Sequence, residues 1–148
     1  MSAEAVCEIL LMDPMEVPDR EELVEIAAAR PECLVYLIQS ARERMGGSAS
    51  EALLRAQLAV VLAERGLDGR GAAQAWRLVG QALRVQGDHA AASTALETAA
   101  VRALQAGDAR LAAQVQIGRV DSLNWLGRYD EAIALARRLE TELRAHGE

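Results

Sequence analysis

The 148-residue sequence contains no phenylalanine and no lysine, and aromatic residues make up only 3% of it. A hydrophobic core must therefore be built from Ala, Leu and Val, the small or flexible side chains that suit closely packed helices. Hydrophobic residues nevertheless account for 51% of the chain. We therefore predict an all-α fold, organised as one domain or as a short repeat array.

Cysteine is scarce, since Cys7 and Cys33 are the only two. Their separation in sequence and their apolar neighbours indicate buried, reduced thiols rather than a disulfide framework. No apolar run approaches the roughly 20 residues that span a bilayer. The N-terminal stretch is acidic and lacks the basic leader and small-residue cleavage site of a signal peptide. We therefore expect no membrane segment and a cytoplasmic location.

Positive charge is also in short supply, and the net charge is −6. Such a chain repels a phosphate backbone, so we expect no nucleic-acid partner. All sixteen basic residues are arginine. The planar guanidinium suits carboxylate recognition, although codon bias explains the absence of lysine at least as well.

The residues that catalysis or metal binding requires are missing or scattered. His89 and His146 are the only histidines, and neither has a Cys or His at metal-ligand spacing. Neither cysteine lies in an electropositive sequence context that would activate it as a nucleophile. The stretch GLDGRGAA at 66–73 lacks the lysine of a phosphate-binding loop and is better interpreted as a turn. We expect no enzyme activity, no metal and no cofactor.

What the sequence does contain is a repeat, marked by Gly47, Gly87 and Gly127 at intervals of forty residues. Each block predicts a helix, a glycine turn and a longer second helix, with small and large apolar residues at three- and four-residue steps. Glycine suits the left-handed residue that commonly follows a helix end. The register gives three blocks: 31–70, 71–110 and 111–148.

Helix-start signals support this division. Ser48, Asp88 and Asp108 are predicted N-caps, and Ser48 has Glu51 at capping-box spacing. Pro31 is predicted to open the first helix of the first block, where its missing N–H costs nothing.

Residues 1–30 do not fit the forty-residue register. We predict two helices there, at about 3–12 and 19–30, forming an N-terminal cap for the stack. At the other end, Gly147 aligns with Gly107, which precedes a new helix pair. A truncated chain, or the N-terminal part of a longer protein, is therefore one expectation.

The stretch LGRYDEAIALA, Leu126 to Ala136, resembles the turn and second-helix start of a tetratricopeptide repeat (TPR). The second block carries that pattern most fully, at Trp76, Gly80, Leu83, Gly87, Ala92, Leu96 and Ala99. In the third block Gln116 and Val120 replace the Trp and Gly of the pattern, and the period is forty instead of thirty-four. The resemblance implies a right-handed α-solenoid of three TPR-like hairpins with an N-terminal helical cap.

The resemblance also implies a function: a non-catalytic protein–protein interaction module that binds a peptide or protein segment on its concave face. The charge and the lack of a long apolar run add the expectation of no nucleic-acid or membrane partner. By register the groove positions are Leu34, Leu37, Ala41 and Arg44; Gln74, Arg77, Gln81 and Arg84; and Gln114, Ile117, Asp121 and Asn124. A merely solvated polar face is an equal alternative for the middle set. Leu34, Leu37 and Ile38 could instead lie under the cap, and Trp125 is predicted to be buried.

Two alternative functions follow from the same features. Long repeats of this style resemble those beside signalling domains in large bacterial proteins, so the chain could be a regulatory or sensor segment of a transcriptional regulator or of a caspase-like peptidase of the CHAT type. It could also be a homodimerising scaffold. Leu135, Leu139 and Leu143 would supply a dimer seam in the C-terminal hairpin, unless they face the preceding helix.

Overall fold

A computed structural model of the chain describes residues 1–145. Over these residues the chain forms eight α-helices and no β-strand, which confirms the all-α class. A short 3₁₀ turn at Pro14–Glu16 lies between the first two helices. The helices are α1 (Ala3–Leu10), α2 (Arg20–Ala28), α3 (Pro31–Arg44), α4 (Ala49–Arg65), α5 (Gly69–Val85), α6 (His89–Gln105), α7 (Ala109–Trp125) and α8 (Tyr129–Ala145). None of these described helices combines the length and apolar composition that crossing a bilayer requires.

From α3 onwards, each helix packs against the next one in the chain. The pairs α3–α4, α5–α6 and α7–α8 fall within the three sequence blocks, and their turns lie at or beside Gly47, Gly87 and Gly127. The prediction of a longer second helix is wrong for the last two pairs, since α5, α6, α7 and α8 each have 17 residues.

The turns reveal a shorter period than the sequence suggested. Left-handed residues occur at Leu67, Gly87, Gly107 and Gly127, which are twenty residues apart. Turns between hairpins therefore have the same form as turns within them, and Leu67 takes a conformation that glycine adopts without a Cβ penalty. The expectation that Gly47 is left-handed is wrong, because the turn between α3 and α4 has no positive φ at this residue.

The predicted helix starts are confirmed. The side-chain oxygens of Ser48, Asp88 and Asp108 each accept a hydrogen bond from the backbone N–H three residues on, and Pro31 begins α3. The capping box at Ser48 is only half formed, since the Glu51 carboxylate accepts a hydrogen bond from Arg44 instead of the Ser48 N–H.

Helices α1 and α2 pack against the first hairpin, α3–α4, and residues 1–30, which contain them, are called the cap below. Leu37 and Ile38 of α3 are buried in a core that α1 and α2 complete. That core also brings together the two cysteines: the Cys7 Sγ lies 3.6 Å from the backbone oxygen of Cys33, and both thiols are free. Burial, with Cys33 as neighbour, raises the pKa of Cys7 to about 12. The prediction of buried, reduced thiols is confirmed.

Helices α5 and α6 can approach closely because the residue at their crossing, Gly80, has no side chain. A Cβ at Gly80 would lie 2.6 Å from the Leu96 Cδ2, so only glycine fits at this crossing without a shift. In the last hairpin, Leu135 and Leu139 are buried with Leu123 of α7. They face the preceding helix, so they cannot supply the exposed dimer seam considered above.

Candidate partner-binding groove

Helix α5 contacts both α3 and α7, and a groove runs along these three helices. It consists of three adjoining cavities, of about 260, 550 and 540 Å³, and is called the arginine groove because Arg42, Arg77 and Arg84 line it. The first two share Arg77 and Gln81, and the last two share Gln81, Arg84 and Asp121. The three cavities therefore form one continuous surface centred on α5.

The structure brings together most of the residues that the sequence placed in the groove. Seven of them line the cavities: Gln74, Arg77, Gln81, Arg84, Gln114, Ile117 and Asp121. Arg44 lies elsewhere and forms an ion pair with Glu51, and the exposed Asn124 does not line the groove. Leu37 and Ala41 are fully buried, so they cannot contact a partner, and Leu34 is half-buried beside Gly71 at the start of α5.

Arg42 is a groove residue that the sequence analysis missed. It lines the first cavity with Arg77, whereas the predicted Arg44 does not. Two residues along an α-helix correspond to about 200° of rotation, so Arg42 and Arg44 lie on nearly opposite sides of α3. The first block lacks the Trp and Gly of the repeat pattern and therefore aligns less well with the other two blocks. As a result, the register predicted Arg44 instead of Arg42 as the groove residue.

Two of the predicted groove residues, Arg84 and Asp121, bind each other. The Arg84 Nη2 donates to the Asp121 Oδ2 at 2.7 Å, joining α5 to α7. Gly118 leaves room for this contact, because a Cβ there would lie 3.1 Å from the Arg84 Nη1. The ion pair fixes Arg84 against α7 and reduces the charge that it offers to a partner.

The other two groove arginines have no such partner. Among residues 1–145, neither Arg42 nor Arg77 forms an ion pair or a side-chain hydrogen bond. Arg42 is exposed and Arg77 is half-buried, and both share their cavity with Gln74 and Gln81. Two guanidinium groups and two amides thus face one open space.

The end of the groove near the turns is apolar and aromatic. Trp125 is 71% exposed and stacks on the ring of His89, with ring centroids 5.1 Å apart. Met45 and Val85 line the same cavity. The prediction that Trp125 is buried is therefore wrong: α7 ends at this residue, and the indole lies over the start of α6 rather than under α8.

The groove offers groups that can bind a ligand. Within the described part of the chain, no group of three or more His, Cys, Asp or Glu side chains could hold a metal ion. His89 stacks on Trp125, Cys7 and Cys33 lie in the core of the cap, and His146 lies outside the described residues. The groove presents cations, amide donors and an apolar patch, which can recognise a ligand.

Comparison of the chain with models of protein families, with curated proteins and with solved structures finds no match. The function of the groove therefore has to be argued from its chemistry.

Proposed function

We propose that residues 31–148 belong to a right-handed α-solenoid of three TPR-like hairpins, capped by residues 1–30, and that its groove binds an extended segment of a partner protein without catalysis. Consecutive antiparallel pairing and the contacts of α5 with α3 and α7 support this arrangement. In a stack of helix hairpins the first helices line one long surface, which suits an extended ligand.

The observation that carries the proposal is the pair of unpaired arginines in the groove. Guanidinium groups bind carboxylates through two parallel hydrogen bonds, and the side-chain amides of Gln74, Gln81 and Gln114 can pair with a peptide backbone. Arg42 and Arg77 are the cations that a carboxylate would engage first, since Arg84 is held by Asp121. The favoured partner segment is therefore acidic.

The apolar end of the groove adds a second requirement. Arg77 and Val85 are eight residues apart on α5, which corresponds to about 12 Å along the helix axis. An extended peptide covers that distance in about four residues. The partner segment should therefore carry an Asp or Glu and, about four residues away, a large apolar side chain that fits beside Met45 and Trp125.

Fluorescence anisotropy with a labelled synthetic peptide tests the proposal. The probe carries one glutamate and one tryptophan at this spacing in a Ser/Gly background, and its control has glutamine in place of the glutamate. Arg77→Gln should weaken probe binding by about tenfold, because a hydrogen bond to a charged group contributes roughly 1.5 kcal/mol or more.

The matched control is Arg137→Gln, which removes an exposed arginine of α8 that has no side-chain partner among the described residues. It should change the affinity by less than about twofold. Equal binding of the probe to the unaltered chain and to Arg77→Gln, or equal binding of the glutamine peptide, would contradict the proposal.

A further inference from the structure

The charge of the chain is concentrated in its N-terminal cap. Residues 1–30 contain eight carboxylates and two arginines, a net charge of −6, whereas residues 31–148 contain fourteen carboxylates and fourteen arginines, a net charge of 0. The whole negative balance of the protein thus belongs to the cap. A field of that sign attracts cationic partners to this end of the molecule.

The cap also contains an apolar cleft between α1 and α2. Its volume is about 330 Å³, which accommodates one or two large side chains. Ile9, Val17 and Leu23 form the floor, and Met12 and Ile26, which are 48% and 47% exposed, form the walls. Exposed aliphatic surface that surrounds a cleft, as opposed to single scattered residues, marks an interaction site.

Glu16, Asp19 and Glu22 line the same cleft, and no basic residue does. None of the three forms an ion pair among residues 1–145. Asp19 stands at the N-cap position of α2, with a left-handed φ of 55°, yet its carboxylate makes no cap hydrogen bond. By contrast, Glu21 and Glu25 on another side of α2 are both paired with Arg65.

We propose that this cleft is a second binding site, separate from the arginine groove, for an amphipathic helix of a partner protein whose apolar face is flanked by Arg or Lys. The apolar floor takes one or two aliphatic side chains of that helix. The three unpaired carboxylates complement its basic residues and set its orientation. The negative charge of the cleft favours this basic partner over an acidic segment. An acidic segment would instead bind in the arginine groove.

The test uses the full chain and a fluorescein-labelled synthetic helical peptide with leucines on one face and arginines beside them. The double variant Met12→Ser, Ile26→Ser should weaken binding by tenfold or more, since the apolar surface that these two half-exposed side chains bury against the partner is lost. Glu16→Gln with Glu22→Gln should weaken it by roughly three- to tenfold, and added salt should abolish that difference.

A control double variant, Glu43→Gln with Asp130→Asn, makes the same charge change at exposed carboxylates outside the cap. It should leave probe affinity within about twofold of the unaltered chain. Circular dichroism establishes that every variant is folded. Loss of binding in this control equal to that in the cleft variant would show a non-specific field effect and overturn the proposal.

Two other outcomes would also overturn it. Equal binding of a peptide with glutamates in place of the arginines would exclude charge-selective recognition. A dimer in size-exclusion chromatography that Ile26→Ser dissociates would assign the cleft to a second copy of the chain. The site is expected to bind the basic probe also in the Arg77→Gln variant, which separates this proposal from that for the groove.

Discussion

In the cleft of the cap, unpaired carboxylates stand beside exposed aliphatic side chains, whereas in the groove guanidinium and amide groups surround a smaller apolar patch. Both surfaces leave charges without a partner among the residues that the structure describes, and the charges of the two surfaces have opposite sign. Nearby charges that serve the fold are paired, as Arg65 is with Glu21 and Glu25. The difference indicates which charges are available to a partner.

The two regions are joined by a core and by a polar network. Leu37 of α3 is completely buried under α1 and α2. Beside it, the Tyr36 hydroxyl donates to Glu8 of the cap, and this hydrogen bond raises the pKa of Tyr36 to about 12. The buried Arg55 of α4 also pairs with Glu8, at 3.9 Å, and donates to the Ser40 Oγ at 2.8 Å. The cap is thus fixed to the first hairpin rather than loosely tethered.

Leu37→Ala tests this joint and should have the largest effect. Removing a fully buried leucine side chain leaves a cavity and should lower the free energy of unfolding by about 3 kcal/mol. Urea denaturation followed by circular dichroism measures the loss. Val35→Ala, at an exposed position of the same helix, is the control and should change stability by less than about 0.5 kcal/mol. A separate early transition in Leu37→Ala would show that the cap unfolds independently.

Gly80→Val should be the next most damaging change, and it should act on the groove side only. The new side chain overlaps Leu96, so overpacking should cost about 2 kcal/mol and move α5 relative to α6. Binding of the acidic probe to the groove should weaken, while binding of the basic probe to the cap should not change. Gly46→Ala, where an added Cβ meets nothing within 4 Å, is the stability control.

Glu64→Gln examines a carboxylate that serves the fold, in contrast to those of the cleft. Burial alone would raise the pKa of Glu64, but hydrogen bonds from Arg102 and Trp76 outweigh it and hold that pKa below its usual range. The folded state therefore binds this proton less readily than the unfolded state. The stabilisation is complete above the unfolded pKa and is lost as the pH falls through the folded one.

We expect Glu64→Gln to lower the free energy of unfolding by about 1 kcal/mol near pH 7, a modest value because the side chain is partly exposed. The difference should shrink as the pH falls through the folded-state pKa of Glu64, because the carboxylate is then protonated in both states. Urea denaturation over a series of pH values from 7 downwards checks this, with Glu43→Gln as the control. A difference that does not depend on pH would contradict the assignment.

The helices could be predicted from the sequence because the residues that favour and begin a helix act locally. Residue spacing, N-cap side chains such as Asp88 and Asp108, and the opening Pro31 each act within one turn, and the structure confirms them. The twenty-residue turn period was harder to see, because the left-handed position after α4 is occupied by Leu67 rather than by glycine.

The site was harder to predict because it depends on distances between helices. No local pattern distinguishes Arg77, which is unpaired, from Arg84, whose partner Asp121 is 37 residues away. Gly118, which makes room for that contact, carries no signal of its own in the sequence. The concentration of carboxylates before residue 30 was visible in the sequence, but the cleft that they line required the packing of α1 against α2.

The smallest expected effect comes from Asp121→Asn, which releases Arg84. Breaking this partly exposed ion pair should change the free energy of unfolding by less than about 1 kcal/mol. Arg84 then becomes a third free guanidinium in the groove, and affinity for the acidic probe should rise by roughly threefold, as measured by anisotropy at low salt.

Glu97→Gln is the matched control for Asp121→Asn, since it removes the ion-pair partner of Arg119, which lies on the same helix as Asp121 and does not line the groove. It should leave the acidic probe unaffected, and neither variant should alter binding of the basic probe to the cap. A fall in acidic-probe affinity in Asp121→Asn would mean that the partner contacts the Arg84–Asp121 pair itself. The groove would then recognise a segment that carries both acidic and basic residues, and its charge preference would differ less sharply from that of the cleft in the cap.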